Sequence, residues 1–158
     1  MPKLTPFLWF KNEALDAALF YVSVFKNARM ISPKDPLPEG AHPPTVVSFE
    51  IDGQVVNAIN GGDSYKLTPA FSFMIDCADQ AEVDYFWETF TADGGAESMC
   101  GWLVDKFGLS WQVIPTVLPK LIGDMDNLEK AGRATQAMLK MKKIDIAALQ
   151  AAYDGEAQ

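Results

Sequence analysis

Two cysteines, a single histidine and a few amides set in apolar runs are the side chains of this sequence with the clearest chemical potential. Cys100 is the one candidate nucleophile, and it stands beside Gly101 and Trp102 where a strand begins. A useful thiolate needs a cation or a helix N-terminus nearby to lower its pKa. The nearest base along the chain is Lys106, and no histidine is close in sequence. The competing role for Cys100 is that of a small buried hydrophobe, and Cys77, at the end of a strand, reads the same way. Asn57, Asn60 and Gln112 are polar groups in otherwise apolar strands. Buried amides must find a partner in backbone, water or ligand. Trp9, Trp102 and Trp111 are of the type that lines ligand pockets, and equally of the type that fills cores. The only imidazole, His42, lies in the stretch 33–44 with five prolines, an exposed loop. General acid–base catalysis calls for histidine or a shifted carboxylate at hand, and no such pair stands out. The candidate site is therefore Cys100 as a catalytic group, with Trp9, Asn57, Asn60, Cys100, Trp102 and Gln112 as ligand-binding residues.

These residues need elements to hold them. Pro6–Phe10 reads as a short strand, with Thr5, Phe7 and Trp9 on one face and Leu8 and Phe10 on the other. Asn12 is an expected N-cap for an amphipathic helix that buries Leu15, Ala18, Leu19, Val22 and Phe25. Ala28–Ser32 is a second strand. The β-rich runs 45–51 and 54–59 flank Asp52-Gly53, a hairpin signal because that pair tolerates positive φ. The pattern then restarts. Residues 70–75 alternate as a strand with Phe71, Phe73 and Ile75 on one face. Asp79 and Glu82 have capping-box spacing, and Val83, Phe86, Trp87 and Phe90 follow at helical spacing. Gly94-Gly95 ends this helix. Strands around 96–99, 101–104 and 109–114 complete the unit, with Lys106-Phe107-Gly108 as a turn. In the last strand Ser110, Gln112 and Ile114 share a face, which leaves Trp111 under the helix, and Trp87 belongs to the core. Strand, helix and three strands thus occur twice, and each module is too small to bury its sheet alone. Pro119 opens a helical tail carrying Leu121, Ile122, Met125, Leu128, Ala131, Met138 and Met141, and Asp145 caps a last short helix through Tyr153. The expected organisation is a domain over 1–118 (modules about 1–66 and 67–118) followed by a helical extension over 119–158.

The 158 residues are 49% apolar and 22% charged, a globular composition. The net charge of −8 resides entirely in residues 1–118, with 7 Lys/Arg against 15 Asp/Glu, while 119–158 hold 6 of each. Asp76–Glu97 carries seven acids and no base, a solvated acidic face. Phosphate binding needs clustered Lys/Arg, so nucleic acid is not an expected partner. No apolar run reaches the roughly 18 residues of a membrane helix, and the N-terminus lacks the apolar core of a signal peptide. With only two cysteines, the expectation is a cytoplasmic protein without a disulfide framework.

Duplicated βαβββ modules resemble the vicinal oxygen chelate superfamily, the glyoxalase/bleomycin-resistance/dioxygenase fold. Pro6-Phe7-Leu8-Trp9-Phe10, Phe20-Tyr21-Val22, Asn60-Gly61-Gly62, the run 94–112, GGAESMCGWLVDKFGLSWQ, and the tail motif Met141-Lys142-Lys143-Ile144-Asp145-Ile146 are similar to its PhnB-like branch. Proteins of that branch are often labelled 3-demethylubiquinone-9 3-methyltransferase. The resemblance implies an α+β fold in which paired modules form a curved mixed sheet, a cup for a small molecule, and it implies a homodimer. It also implies metal-ligand slots near Thr5 and Ala70, at Gln112, and near Asn57–Asn60. None of these is His, Asp or Glu, and neutral amides are weak ligands for a transition metal. No cofactor is therefore expected, and a divalent metal runs against the residue types. The methyltransferase label meets a similar difficulty. Nucleotide-like cofactors are gripped by a glycine-rich turn between a parallel strand and a helix, and no helix pattern follows Asn60-Gly61-Gly62. The leading expectation is a small-molecule binding protein whose ligand occupies the cup, touched by Trp9, Cys100 and Gln112. The rivals are an enzyme of the same superfamily (metal-dependent, Cys100-dependent or the labelled methyltransferase) and a partner-binding protein using the helical tail.

Overall fold

The computed structural model describes residues 1–156. The chain forms two compact units, Met1–Leu67 and one from Thr68 onward that includes the C-terminal helices.

The first unit runs β1 (Phe7–Phe10), α1 (Ala14–Val24), β2 (Ala28–Ser32), β3 (Val46–Ile51) and β4 (Gln54–Asn60). Its sheet has the order β1-β4-β3-β2, with β1 parallel to β4 and the other pairs antiparallel. Asp52 and Gly53 both take positive φ, as the β3–β4 hairpin requires. Leu8 and Phe10 are buried beneath α1 together with Val47, Phe49, Val56 and Ala58.

The helix departs from its sequence-based expectation in two ways. Its buried residues are Ala14, Ala17, Ala18, Tyr21 and Val24, and Leu19 is 47% exposed. The run ALFYVSV is apolar almost all round, so periodicity does not single out one face. Three alanines let the helix backbone approach the sheet closely, and that face wins. The N-cap position is Glu13 rather than Asn12, and no side chain of its own segment caps the helix.

The second unit repeats the topology with β5 (Ser72–Cys77), α2 (Gln80–Thr91), β6 (Ala96–Glu97), β7 (Trp102–Val104) and β8 (Ser110–Pro115), in the order β5-β8-β7-β6. Here the expectations hold closely. Asp79 Oδ1 accepts the Glu82 amide at 2.9 Å, and Glu82 Oε2 accepts that of Ala78 at 2.8 Å. Val83, Trp87 and Phe90 are buried. Trp111 lies under α2, stacked on Phe90 with ring centroids 4.5 Å apart.

The tail is three helices, α3 (Val117–Ile122), α4 (Leu128–Met138) and α5 (Ile146–Asp154), so the stretch expected to run on from Pro119 before the last short helix is divided in two. α3 begins two residues before Pro119, which sits in the first turn, where its missing N–H costs nothing. The break at 123–127 leaves Met125 and Leu128 78% and 67% exposed, against the expected stripe. Asp145 caps α5 as expected, accepting the Ala148 amide at 3.0 Å. Ile114, Leu118, Leu121, Ala134, Ile144 and Leu149 form the buried cluster that binds the tail to β8. Among the described residues, no helix is long and apolar enough to cross a membrane.

Candidate functional site

In each unit the helix covers one face of the sheet, and the candidate residues divide between that face and the other. In the first unit the helix-free face carries Phe7 and Trp9 on β1, Asn57 and Ile59 on β4, and Val46 and Ser48 on β3. Register places Phe7 beside Asn57, and Asn57 beside Ser48. Ser48 Oγ donates to Asn57 Oδ1 at 2.6 Å. Farther along, Arg29 forks onto both carboxylate oxygens of Glu50 at 3.2 and 3.3 Å.

Trp9 is half-buried in a cage made by its own unit. Its Nε1 donates to the Gly62 carbonyl at 3.0 Å, and Tyr65 meets it edge-on with centroids 5.0 Å apart. The indole lies against the backbone of Gly61, where a Cβ would fall 2.2 Å from Trp9 Cζ2. A glycine is therefore required at 61 by close approach, not by any phosphate. Asn60 completes the account of that motif. It points to the helix side, where Oδ1 accepts the Ala14 amide at 2.8 Å and Nδ2 donates to the Pro44 carbonyl at 3.2 Å. Asn60 thus supplies from β4 the cap that α1 lacks in its own sequence.

In the second unit the helix-free face carries Ser72 and Met74 on β5, Ser110, Gln112 and Ile114 on β8, and Trp102 on β7. Gln112 is flanked directly by Met74 and Trp102, and its Nε2 donates to Ser72 Oγ at 2.9 Å. Ser110 Oγ is the one buried side-chain polar atom among the described residues that takes no hydrogen bond.

Cys100 stands at the turn leading into β7 with a φ of 58°, and it is half-buried. Its amide donates to the Met141 carbonyl at 2.8 Å, and that of Gly101 to Lys142 at 2.8 Å. A Cβ on Gly101 would lie 2.9 Å from Ile114 Cδ1. Cys77 is fully buried, and desolvation with the nearby carboxylates of Glu82, Asp76 and Asp79 pushes its thiol up to about 12. It is inert packing.

The two modules correspond at this level. Asn57 and Gln112 occupy equivalent places on the last strand of each, and each is bonded to a serine hydroxyl on a neighbouring strand. Phe7 and Met74, more than half exposed, occupy equivalent places on the first strands. Ser48 and Ser72 were not among the residues singled out from sequence. Ser48 was within reach, because counting outward from the Asp52-Gly53 turn pairs it with Asn57. Ser72 was not, because the β5–β8 register is a long-range parallel pairing.

Much of the long 94–112 run serves the fold. Asp105 is buried, with Oδ1 accepting the amides of Phe107 and Leu109 at 2.8 and 3.1 Å and Oδ2 accepting Trp111 Nε1 at 2.8 Å. Glu97 accepts Trp87 Nε1 at 2.9 Å.

The donor set does not suit a transition metal. Thr5 and Ala70 precede β1 and β5, and Asn57 and Gln112 offer only neutral amides already bonded to serines. Among the described residues, no three His, Cys, Asp or Glu side chains come close enough to hold a metal ion.

Residues 2–114 match the family model described as 3-demethylubiquinone-9 3-methyltransferase. Among solved structures, the PhnB protein of Bacillus cereus superposes with a TM-score of 0.63 at 27% identity, covering 73% of this chain and 100% of that one. A Pseudomonas aeruginosa protein superposes with a TM-score of 0.57 at 15% identity, covering 73% of this chain and 98% of its own. A glyoxalase/bleomycin resistance protein/dioxygenase family enzyme from Burkholderia phytofirmans gives a TM-score of 0.48 at 13% identity, covering 66% of this chain and 92% of its own. No curated protein matches the chain. With its twice-repeated βαβββ topology, the chain belongs to the 3-demethylubiquinone-9 3-methyltransferase family.

Proposed function

We propose that this protein binds a small, neutral, partly apolar molecule on the helix-free faces of its sheets, without a resident metal ion. The observation that carries this reading is that each unit holds an amide bonded to a serine, Asn57 accepting from Ser48 on β3 and Gln112 donating to Ser72 on β5, in the places where the fold resemblance implies metal ligands. Each serine engages one end of its amide and leaves the other end to a ligand. Around each pair stand apolar groups, Phe7, Trp9 and Ile59 in one unit and Met74 and Trp102 in the other. A site built of a few polar groups in an apolar lining favours uncharged ligands that carry one or two hydrogen-bonding atoms. The unpartnered Ser110 hydroxyl, on the same face as Gln112, adds unused hydrogen-bonding capacity.

The family's methyltransferase description finds no nucleotide-gripping turn to support it in this chain. Gly61 and Gly62 serve Trp9, and β4 leads into an irregular segment with a turn at Asp63-Ser64 rather than a helix. Both cysteines are free, in keeping with a reducing cytoplasm.

Elemental mass spectrometry after loading with Mn, Fe, Ni and Zn, combined with NMR screening of neutral fragments, tests the proposal. The expected result is substoichiometric metal, with fragment-induced shifts of the Asn57 and Gln112 side-chain amides. One tightly held divalent ion per chain would overturn it and favour a metal-dependent enzyme.

A further inference from the structure

The second unit's helix-free face is closed at one end, and the closing piece comes from outside the region matched by the family. Ile114 lies two residues beyond Gln112 on β8, on the same face, yet it is buried in a cluster with Leu121, Ala134, Ile144 and Leu149 of the tail. Ile144 also approaches the Gly101 turn, where a Cβ would lie 3.2 Å from Ile144 Cγ1. The family match stops at residue 114, and the Bacillus cereus protein is covered whole by 73% of this chain. The tail segment that carries Ile144 therefore lies outside the region that the family model matches.

That segment is tied down along its length. The Met141 and Lys142 carbonyls accept the amides of Cys100 and Gly101, both at 2.8 Å. Gln80, at the start of α2, grips the backbone on either side of Asp145: its Nε2 donates to the Ile144 carbonyl at 3.0 Å, and its Oε1 accepts the Ile146 amide at 2.8 Å. Lys143 pairs with Asp84 at 2.9 Å.

We infer that Ile144 is the end wall of the ligand face in the second unit and sets the length of the apolar chain that a ligand can lay there. This rests on the proposed binding function and gives it a ligand class: a neutral head bonded to Gln112, with a short unbranched apolar chain running along β8 toward Ile114. The direction follows from the side chains. The Ser72 and Ser110 side of Gln112 carries two hydroxyls, whereas along β8 the other side ends in the apolar cluster around Ile114, with the exposed Asp76 carboxylate beside Ile114 on β5. Two strand residues span roughly 7 Å, room for a chain of about five carbons before it meets the wall.

The test uses straight-chain primary amides from butanamide to decanamide as probes, titrated into full-length protein and read by NMR at the Gln112 side-chain amide and the Gly101 backbone amide. In the native chain, affinity rises roughly fourfold per methylene, the increment expected for burying each one, and stops rising near pentanamide or hexanamide. In Ile144→Ala the break moves to longer amides, and in Ile144→Val it moves by less. Gln80→Ala, which loosens the grip on the Ile144 backbone while leaving the Ile144 side chain in place, blurs the break. A break that stays in place in both Ile144 variants overturns the end wall while leaving the ligand face standing. If no amide perturbs Gln112 in any of these proteins, the ligand face fails and the wall with it.

Discussion

The thiol and amide side chains here are governed by their neighbours more than by their own chemistry. Cys77 and Cys100 differ in burial, and burial sets their reactivity. Ellman's reagent is expected to label one thiol per native chain, Cys100, and two after unfolding. With the Cys77 thiol pushed up to about 12 in the folded state, the unfolded chain loses that proton first as pH rises. Stability therefore falls as pH rises above about 9, by up to about 1.4 kcal/mol per pH unit from this group. Urea denaturation of native protein and Cys77→Val between pH 8 and 11 checks this, the variant showing the shallower fall. Asn60→Ala removes the cap of α1 and is expected to cost about 1–2 kcal/mol of stability. Asp105→Ala strips three donors of their acceptor at once, a loss on the order of 3 kcal/mol by the same measurement.

Among the elements, the segment between α4 and α5 shows how local structure depends on distant groups. It has no regular structure of its own, yet its carbonyls hold the turn that leads into β7, and Gln80 holds the segment in turn. Gln80→Ala is expected to speed hydrogen exchange at the Cys100 and Gly101 amides by at least about tenfold, the effect of lowering the free energy of a local opening by roughly 1.4 kcal/mol. The amides of β8 should stay protected. Equal acceleration in β8 would mean that the substitution unfolds the unit as a whole rather than releasing the segment.

For the molecule as a whole, the tail is an integral part of the second unit's core. Truncation after Leu118 strips cover from Ile114 and Leu118. The expected outcome is a lower midpoint in thermal melting and increased binding of a fluorescent apolar dye. A truncated chain that melts like the full one would instead leave the tail free for partner binding. The family resemblance also carries a homodimer, which sedimentation at twice the single-chain mass would establish.

The repeat, the hairpin at Asp52-Gly53, the α2 capping box and the burial of Trp87 and Trp111 were all legible in the sequence. Each rests on local rules: turn residues that accept positive φ, a carboxylate three or four residues from the amide it caps, and strand alternation. The α1 face was not legible, because an almost uniformly apolar helix is oriented by how closely its small residues let it approach the sheet. The site divides along the same line. Asn57 with Ser48 follows from hairpin register, so its pairing was within reach of the sequence. Gln112 with Ser72, Asn60 with the start of α1, and Ile144 over Ile114 join residues between 30 and 46 positions apart. No local rule sets such pairings; they arise when parallel strands and docked helices pack, because a buried amide or isoleucine is placed by everything that surrounds it.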